Sequence, residues 1–305
     1  MSCSCSQARL SDGQPLVEAF DQVRTGCPAL NLLLAPDEVW QTVVADASGP
    51  LDKAHHCSCL LLAYDRGFLE RITSPVHRFL LDGGTLRANL TRQYRRDLQE
   101  RWLSESDELS RHGKFKMFFG KLVELQIADW LAGKGWPVIG LEALGHDCDI
   151  GAQSPEGVPH SIEVKYVGQG IDNFRLVVDA LGGGPGTGSL PLYGAINYVL
   201  FRTYEAAVGL RRHANPKLAV IVIDAQTWPT LDVPLGNRWL DWDRPAFLQT
   251  EEQDWNRFLN EQRVTRYPNI GSELADLVHT LDSVWIVRLD TSYRYSLKYE
   301  QRLAG

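Results

Sequence analysis

Residues 160–168 read HSIEVKYVG. The β-branched and aromatic residues mark a short strand. Side chains alternate across a strand, so Glu163 and Lys165 share one face while Ile162, Val164 and Tyr166 take the other. A carboxylate and an ammonium two residues apart, in a strand whose remaining residues call for burial, pose a chemical question that the rest of the chain answers.

Upstream, HDCDIGAQ (146–153) reads as a second strand and SPEGVP (154–159) as the turn between them, which makes a hairpin. Asp147 and Asp149 are two apart and are expected on one face of that strand, and pairing brings Asp149 toward Glu163. Before it, WPVIGLEAL (136–144) reads as a further strand. It follows FKMFFGKLVELQIADWLAGKGW (115–136), where Phe118, Leu122, Leu125, Ala128 and Leu131 recur at helical spacing. Glu124 sits at the edge of that apolar stripe. Downstream, YGAINYVLFRTYEAAVGLRR (193–212) reads as a second helix. PKLAVIVIDA (216–225) is a continuous apolar run, read as a fully buried strand that closes the sheet. Helix candidates at 250–265 and 271–281 and strands at SVWIVRLD (283–290) and YRYSLKYE (293–300) complete the chain.

Converging carboxylates repel one another until they are protonated or a cation neutralises them. Oxygen donors without thiol or imidazole partners suit magnesium, manganese or calcium. A cation held in this way activates water and shields charge on a phosphate oxygen, while a neighbouring lysine orients the water or stabilises developing charge. Two carboxylates and a lysine on adjacent strands therefore make a coherent phosphodiesterase site.

The order of a helix with Glu (KLVELQIADWLAGKGW), a strand, a strand with Asp (HDCDI), a strand with Glu-x-Lys (IEVK), a helix (YGAINYVLFRTYEA) and a strand (LAVIVID) resembles the PD-(D/E)XK nuclease superfamily. The resemblance spans roughly residues 115–225. It implies a restriction-endonuclease-like α/β fold, with a central mixed sheet flanked by helices, and Mg²⁺- or Mn²⁺-dependent cleavage of DNA, less often RNA. Carried over residue by residue, Asp149 and Glu163 correspond to the metal ligands, Lys165 to the motif lysine, and Glu124 to the accessory acid and further metal ligand on the first helix. Asp149 is preferred to Asp147 because the apolar Ile150 follows it; Asp147 remains an extra ligand candidate. The motif proline is absent, and Cys148 stands in its place. Restriction, phage defence and repair are compatible settings, and a homodimer is compatible with the family. The alternative is a catalytically inactive fold of this type that binds nucleic acid or serves a structural role.

The region 1–110 reads as a mostly helical N-terminal region of unknown role, preceding a nuclease-like region at 111–305 whose core is 115–225 and whose C-terminal elaboration is 226–305. Helix-like stretches fall at 15–24, 36–47 and 58–72. A long polar helix is expected over 85–114, carrying Arg87, Arg92, Arg95, Arg96 and Arg101; it serves equally well as a phosphate-facing stripe or as a salt-bridged, solvated helix. On the second helix Tyr198 and Arg202 share a face. The net charge of −7 excludes general polyanion binding, so a nucleic-acid surface must be local. The 305 residues are 44% hydrophobic, enough for a core without covalent staples, and six cysteines suggest no disulfide framework. No signal-like or membrane-spanning run is apparent, and a reducing cytoplasm is the expected setting. HHCSC (55–59) places His55, His56, Cys57 and Cys59 together, but the spacing is not that of C-x-x-C and a buried cysteine segment is the plainer reading. The glycine-rich LGGGPGTGSLP (181–191) lacks the Lys-Ser/Thr of a phosphate loop and reads as a mobile loop; an enzyme using it to bind a nucleotide is a second rival. Most of the nine tryptophans sit in apolar contexts, which favours core packing over base stacking.

Overall fold

The computed structural model describes residues 74–83, 85–92, 108–167, 192–224, 267–290 and 294–303, with isolated positions at 18, 22, 25 and 260. The chain divides into two units: Met1–Lys134, Gly140–Asp147 and Gln169–Gly188 form one, and Gly135–Ile139, Cys148–Gly168 and Ser189–Gly305 the other.

In the first unit, a helix over 74–80 leads into a minimal ladder, in which β1 (Leu81–Asp82) pairs antiparallel with β2 (Thr85–Leu86). Gly83 turns the chain at φ 59, and the Arg87 amide donates to the Leu80 carbonyl at 3.1 Å. This corrects the expected helix over 85–114 at its start. The Asp82-Gly83 reversal pairs Thr85 and Leu86 with β1, and the chain turns again at Ala88 and Asn89, so no helix begins there. Of the arginines read on that helix, Arg87 lies beyond the ladder and Arg92 is exposed; Arg95, Arg96 and Arg101 lie outside the described residues. The helix α1 then runs over Glu108–Gly133, with Leu122, Val123, Leu125, Ile127, Ala128 and Leu131 buried along it.

The second unit is built on a six-stranded sheet with the order β3-β4-β5-β6-β7-β8. The strand β3 (Val138–Leu141) enters it with Val138 and Ile139 and gives way to a 3-10 turn at Glu142–Leu144, stopped by Gly145 at φ 92. β4 (Ile150–Gln153) and β5 (Pro159–Val167) form the expected hairpin, with Ile150 opposite Ile162. Pro155 presets its turn and Gly157, at φ 82, supplies the left-handed residue that reverses the chain. α2 (Leu192–Leu210) connects β5 to the parallel strand β6 (Lys217–Asp224), as a parallel pairing requires. α3 (Ile270–Val278) precedes β7 (Ser283–Leu289), and β8 (Tyr295–Arg302) returns antiparallel.

β6 does not close the sheet, as its sequence was read to do. It lies inside, parallel to both β5 and β7. An uninterrupted run with Leu218, Val220 and Val222 on one face and Ala219, Ile221 and Ile223 on the other is buried on both, which suits an interior strand. The edge falls to β8, where Lys298, Glu300 and Arg302 meet solvent and a bulge next to Lys298 breaks the ladder. Charge and a bulge blunt an edge against further pairing. On one face of the sheet α2 packs against β5 and β6, with Phe201, Tyr204, Ala207 and Leu210 meeting Val167, Ala219, Ile221 and Ile286, and α3 joins through Ile270. A mixed sheet flanked by helices is a restriction-endonuclease-like architecture. Among the described residues, no helix is long and apolar enough to cross a membrane.

Candidate active site

Asp149 and Asp147 part company immediately before β4. Both precede the strand, in a bend over 147–149, so strand alternation does not place them on one face as expected. Asp147 is 77% exposed and lies 3.0 Å from Nδ1 of His146. Asp149 turns inward and is 8% exposed; its Oδ2 accepts the Val164 amide at 2.8 Å. β4 begins only at Ile150, and the Asp149 carboxylate occupies the ladder position that the strand leaves open beside β5. The register pairing Ile150 with Ile162 carries Asp149 alongside Glu163.

Glu163 and Lys165 lie on the face of β5 that α2 covers. Lys165 Nζ donates to Glu163 Oε2 and lies 3.8 Å from Asp149 Oδ2. The ammonium thus stands between carboxylates from neighbouring parts of the hairpin. Glu163 is 12% and Lys165 22% exposed, so the group is recessed but not sealed. Two carboxylates and one ammonium leave a formal charge of −1, in which Lys165 plays the part of a resident cation. The donors are hard oxygens, the set that suits Mg²⁺ or Mn²⁺.

In the other unit, Lys121 Nζ donates to Glu124 Oε2 at 3.1 Å and to Glu142 Oε2. Glu124 is 13% exposed, on the edge of the buried face of α1 as its spacing suggested. Carboxylates suited to a divalent cation are therefore present in both units, Glu124 and Glu142 in one and Asp149 in the other. Glu142 was not singled out in the sequence. Its setting, GLEAL, reads as strand, whereas the chain has already left β3 and entered a 3-10 turn. Lys121 and Glu124 are three apart on a helix, a spacing that favours their pairing. His146, Asp147 and Cys148 are consecutive donors of mixed kind, but the buried Cys148 thiol is spent on the Ile150 carbonyl at 3.3 Å.

Arg202 on α2 is committed to its own helix, its Nη1 donating to Glu205 Oε2, while the Tyr267 hydroxyl donates to Glu205 Oε1 at 3.2 Å. Beside them the Tyr204 hydroxyl lies 3.4 Å from Glu273 Oε2. Burial first, and then the Glu273 charge, push its pKa up to about 12. The Tyr198 side chain, the segment 181–191, the 55–59 cluster, and the helix candidates at 15–24, 36–47, 58–72 and 250–265, isolated positions apart, lie outside the described residues. No protein-family model, curated protein or solved structure matches the chain.

Proposed function

We propose that the chain is a divalent-metal-dependent nuclease that hydrolyses DNA phosphodiester bonds. The observation that carries this reading is the Lys165 ammonium lodged between the Glu163 and Asp149 carboxylates on neighbouring segments of one hairpin. The order of elements from α1 to β6, and the resemblance it bears to PD-(D/E)XK nucleases, supports the same reading.

Asp149 and Glu163 would hold the cation, and the resemblance gives Glu124 the role of a further ligand or water-orienting acid. Mg²⁺ or Mn²⁺ there would supply positive charge that makes water a better nucleophile and offsets charge gathering on the phosphate. Lys165, released from Glu163, donates hydrogen bonds to the attacking water or to a non-bridging phosphate oxygen, holding either in line for displacement. Water oxygen joins phosphorus, the bond to the leaving sugar oxygen breaks, and a water proton ends on that oxygen. A homodimer acting in restriction, phage defence or repair is the accompanying proposal. The test is incubation of DNA and RNA with Mg²⁺ or Mn²⁺, comparing the natural chain with Lys165→Ala. Metal-dependent cleavage of DNA, lost in the variant, supports the proposal, and equal cleavage by both overturns it.

One observation favours the inactive alternative. The Asp149 carboxylate already satisfies a backbone amide of β5, and Glu163 already has an ammonium partner. A fold-stabilising network or a nucleic-acid-binding protein needs nothing more. The absence of both cleavage and any metal-induced shift in unfolding temperature would select this reading.

A further inference from the structure

We infer that Gly209, near the end of α2, is a positioning residue that cradles the Glu163 carboxylate and fixes its direction. The inference rests on the reading of Glu163 as a metal ligand and adds the device that holds it. A glycine inside a helix is less favourable than an alanine, so its presence at this position calls for a reason. Backbone conformation supplies none: among the described residues the positive-φ glycines are Gly83, Gly135, Gly145 and Gly157, and Gly209 is not one of them. Space supplies one. A Cβ at Gly209 would lie 2.8 Å from Glu163 Cδ and 3.0 and 3.1 Å from its Oε2 and Oε1. The near-equal oxygen distances show that the carboxylate meets the helix with both oxygens rather than grazing it with one.

In this contact the Glu163 side chain is the partner that can move, while the backbones of helix and strand are held. Behind it is the backbone of β5, paired through Ala219 to the interior strand β6. Val167, on the same face of β5, is fully buried. Leu210, next to the glycine, is also fully buried and holds the last turn of α2 against the sheet. Helix and strand are both fixed, so an added methyl displaces the acid. Lys165 is bonded to Glu163 Oε2, and rotation of the carboxylate also takes the ammonium away from Asp149. One missing side chain thus sets the geometry of both charged groups on β5.

The test is a double-mutant cycle on the full chain with Gly209→Ala, Glu163→Ala and the pair. It is read by denaturant unfolding in chelator and by calorimetric titration with Mn²⁺ alone. Gly209→Ala is expected to weaken Mn²⁺ binding about ten- to a hundredfold, the range for lost support of a metal ligand. In the Glu163→Ala background it should change the remaining affinity less than twofold. In chelator the alanine should destabilise the natural chain yet be neutral or stabilising once Glu163 is truncated, because only the helix preference remains. Should Gly209→Ala alone fail to fold, restoration of folding by Glu163→Ala supports the cradle, and no restoration overturns it. Equal Mn²⁺ affinity for the natural chain and Gly209→Ala, or additive effects of the two substitutions on stability, also overturns it. A natural chain that binds no Mn²⁺ refutes the metal-site reading, and the positioning of a ligand falls with it; the chelator cycle then reports separately whether the contact exists.

Discussion

Replacement of Lys165 by methionine removes a charge while keeping most of the side-chain volume. The ammonium stands 3.8 Å from Asp149 Oδ2 and is bonded to Glu163. At an effective dielectric near 20, one unit pair at that distance attracts by about 4 kcal/mol before desolvation is counted. Loss of one partner of a buried pair costs about 3–5 kcal/mol, because the remaining charge stays buried without compensation. Lys165 is 22% exposed, so water screens part of the effect and the low end, about 3 kcal/mol, is expected in chelator. A divalent cation should then do the work of the missing ammonium. At a hundred times its dissociation constant, bound Mn²⁺ returns about 2.7 kcal/mol. Lys165→Met should therefore gain more from Mn²⁺ than the natural chain does, because the cation no longer competes with a resident charge, while cleavage is lost. Urea unfolding of both proteins, with chelator and with Mn²⁺, measures all four states. A loss under about 0.5 kcal/mol, the range of ordinary surface substitutions, or a variant that Mn²⁺ leaves unchanged, refutes the argument that Lys165 substitutes for a metal.

Asp149→Asn keeps an oxygen for the Val164 amide and should fold like the natural chain while losing Mn²⁺ affinity. Asp149→Ala also strands the amide, at about 1–3 kcal/mol; thermal melts beside Mn²⁺ titrations separate the two effects. Tyr204, with its hydroxyl pKa raised from 10.0 to about 12, favours the neutral phenol in the folded state. Its contribution to stability is full below pH 10 and is lost as pH rises from 10 through 12. Tyr204→Phe should flatten that alkaline limb, followed by unfolding curves and tyrosinate absorbance. Gly140→Ala would drive a methyl into the His146 ring, and if the imidazole cannot move aside, unfolding should show a loss of about 1–3 kcal/mol.

What local pattern can encode was readable. Alternation marked β5, a continuous apolar run marked β6, helical spacing marked the buried stripe of α1, and Ser154-Pro155-Glu156-Gly157 announced the hairpin turn. Each depends on neighbours within a few residues, where backbone sterics and side-chain period act directly. The same rule misplaced Asp147, because two residues apart means one face only within a strand, and the strand had not yet begun. It also began the polar helix at Thr85, where pairing of Thr85 and Leu86 with β1 holds the chain extended instead.

The sequence by itself determined which residues bear charge on β5, that Asp149 lies one hairpin away from Glu163, and that an interior-type strand follows the second helix. Tertiary structure alone decided that β6 lies between β5 and β7, that Lys165 bridges two acids, that Lys121 joins Glu142 to Glu124, and that a bare stretch of α2 backbone receives Glu163. The physical reason is range. Periodicity is a property of adjacent residues, whereas register, strand order and close approach arise only when distant segments compete to bury the same surface, and a missing side chain has no pattern until the group that fills its place is known.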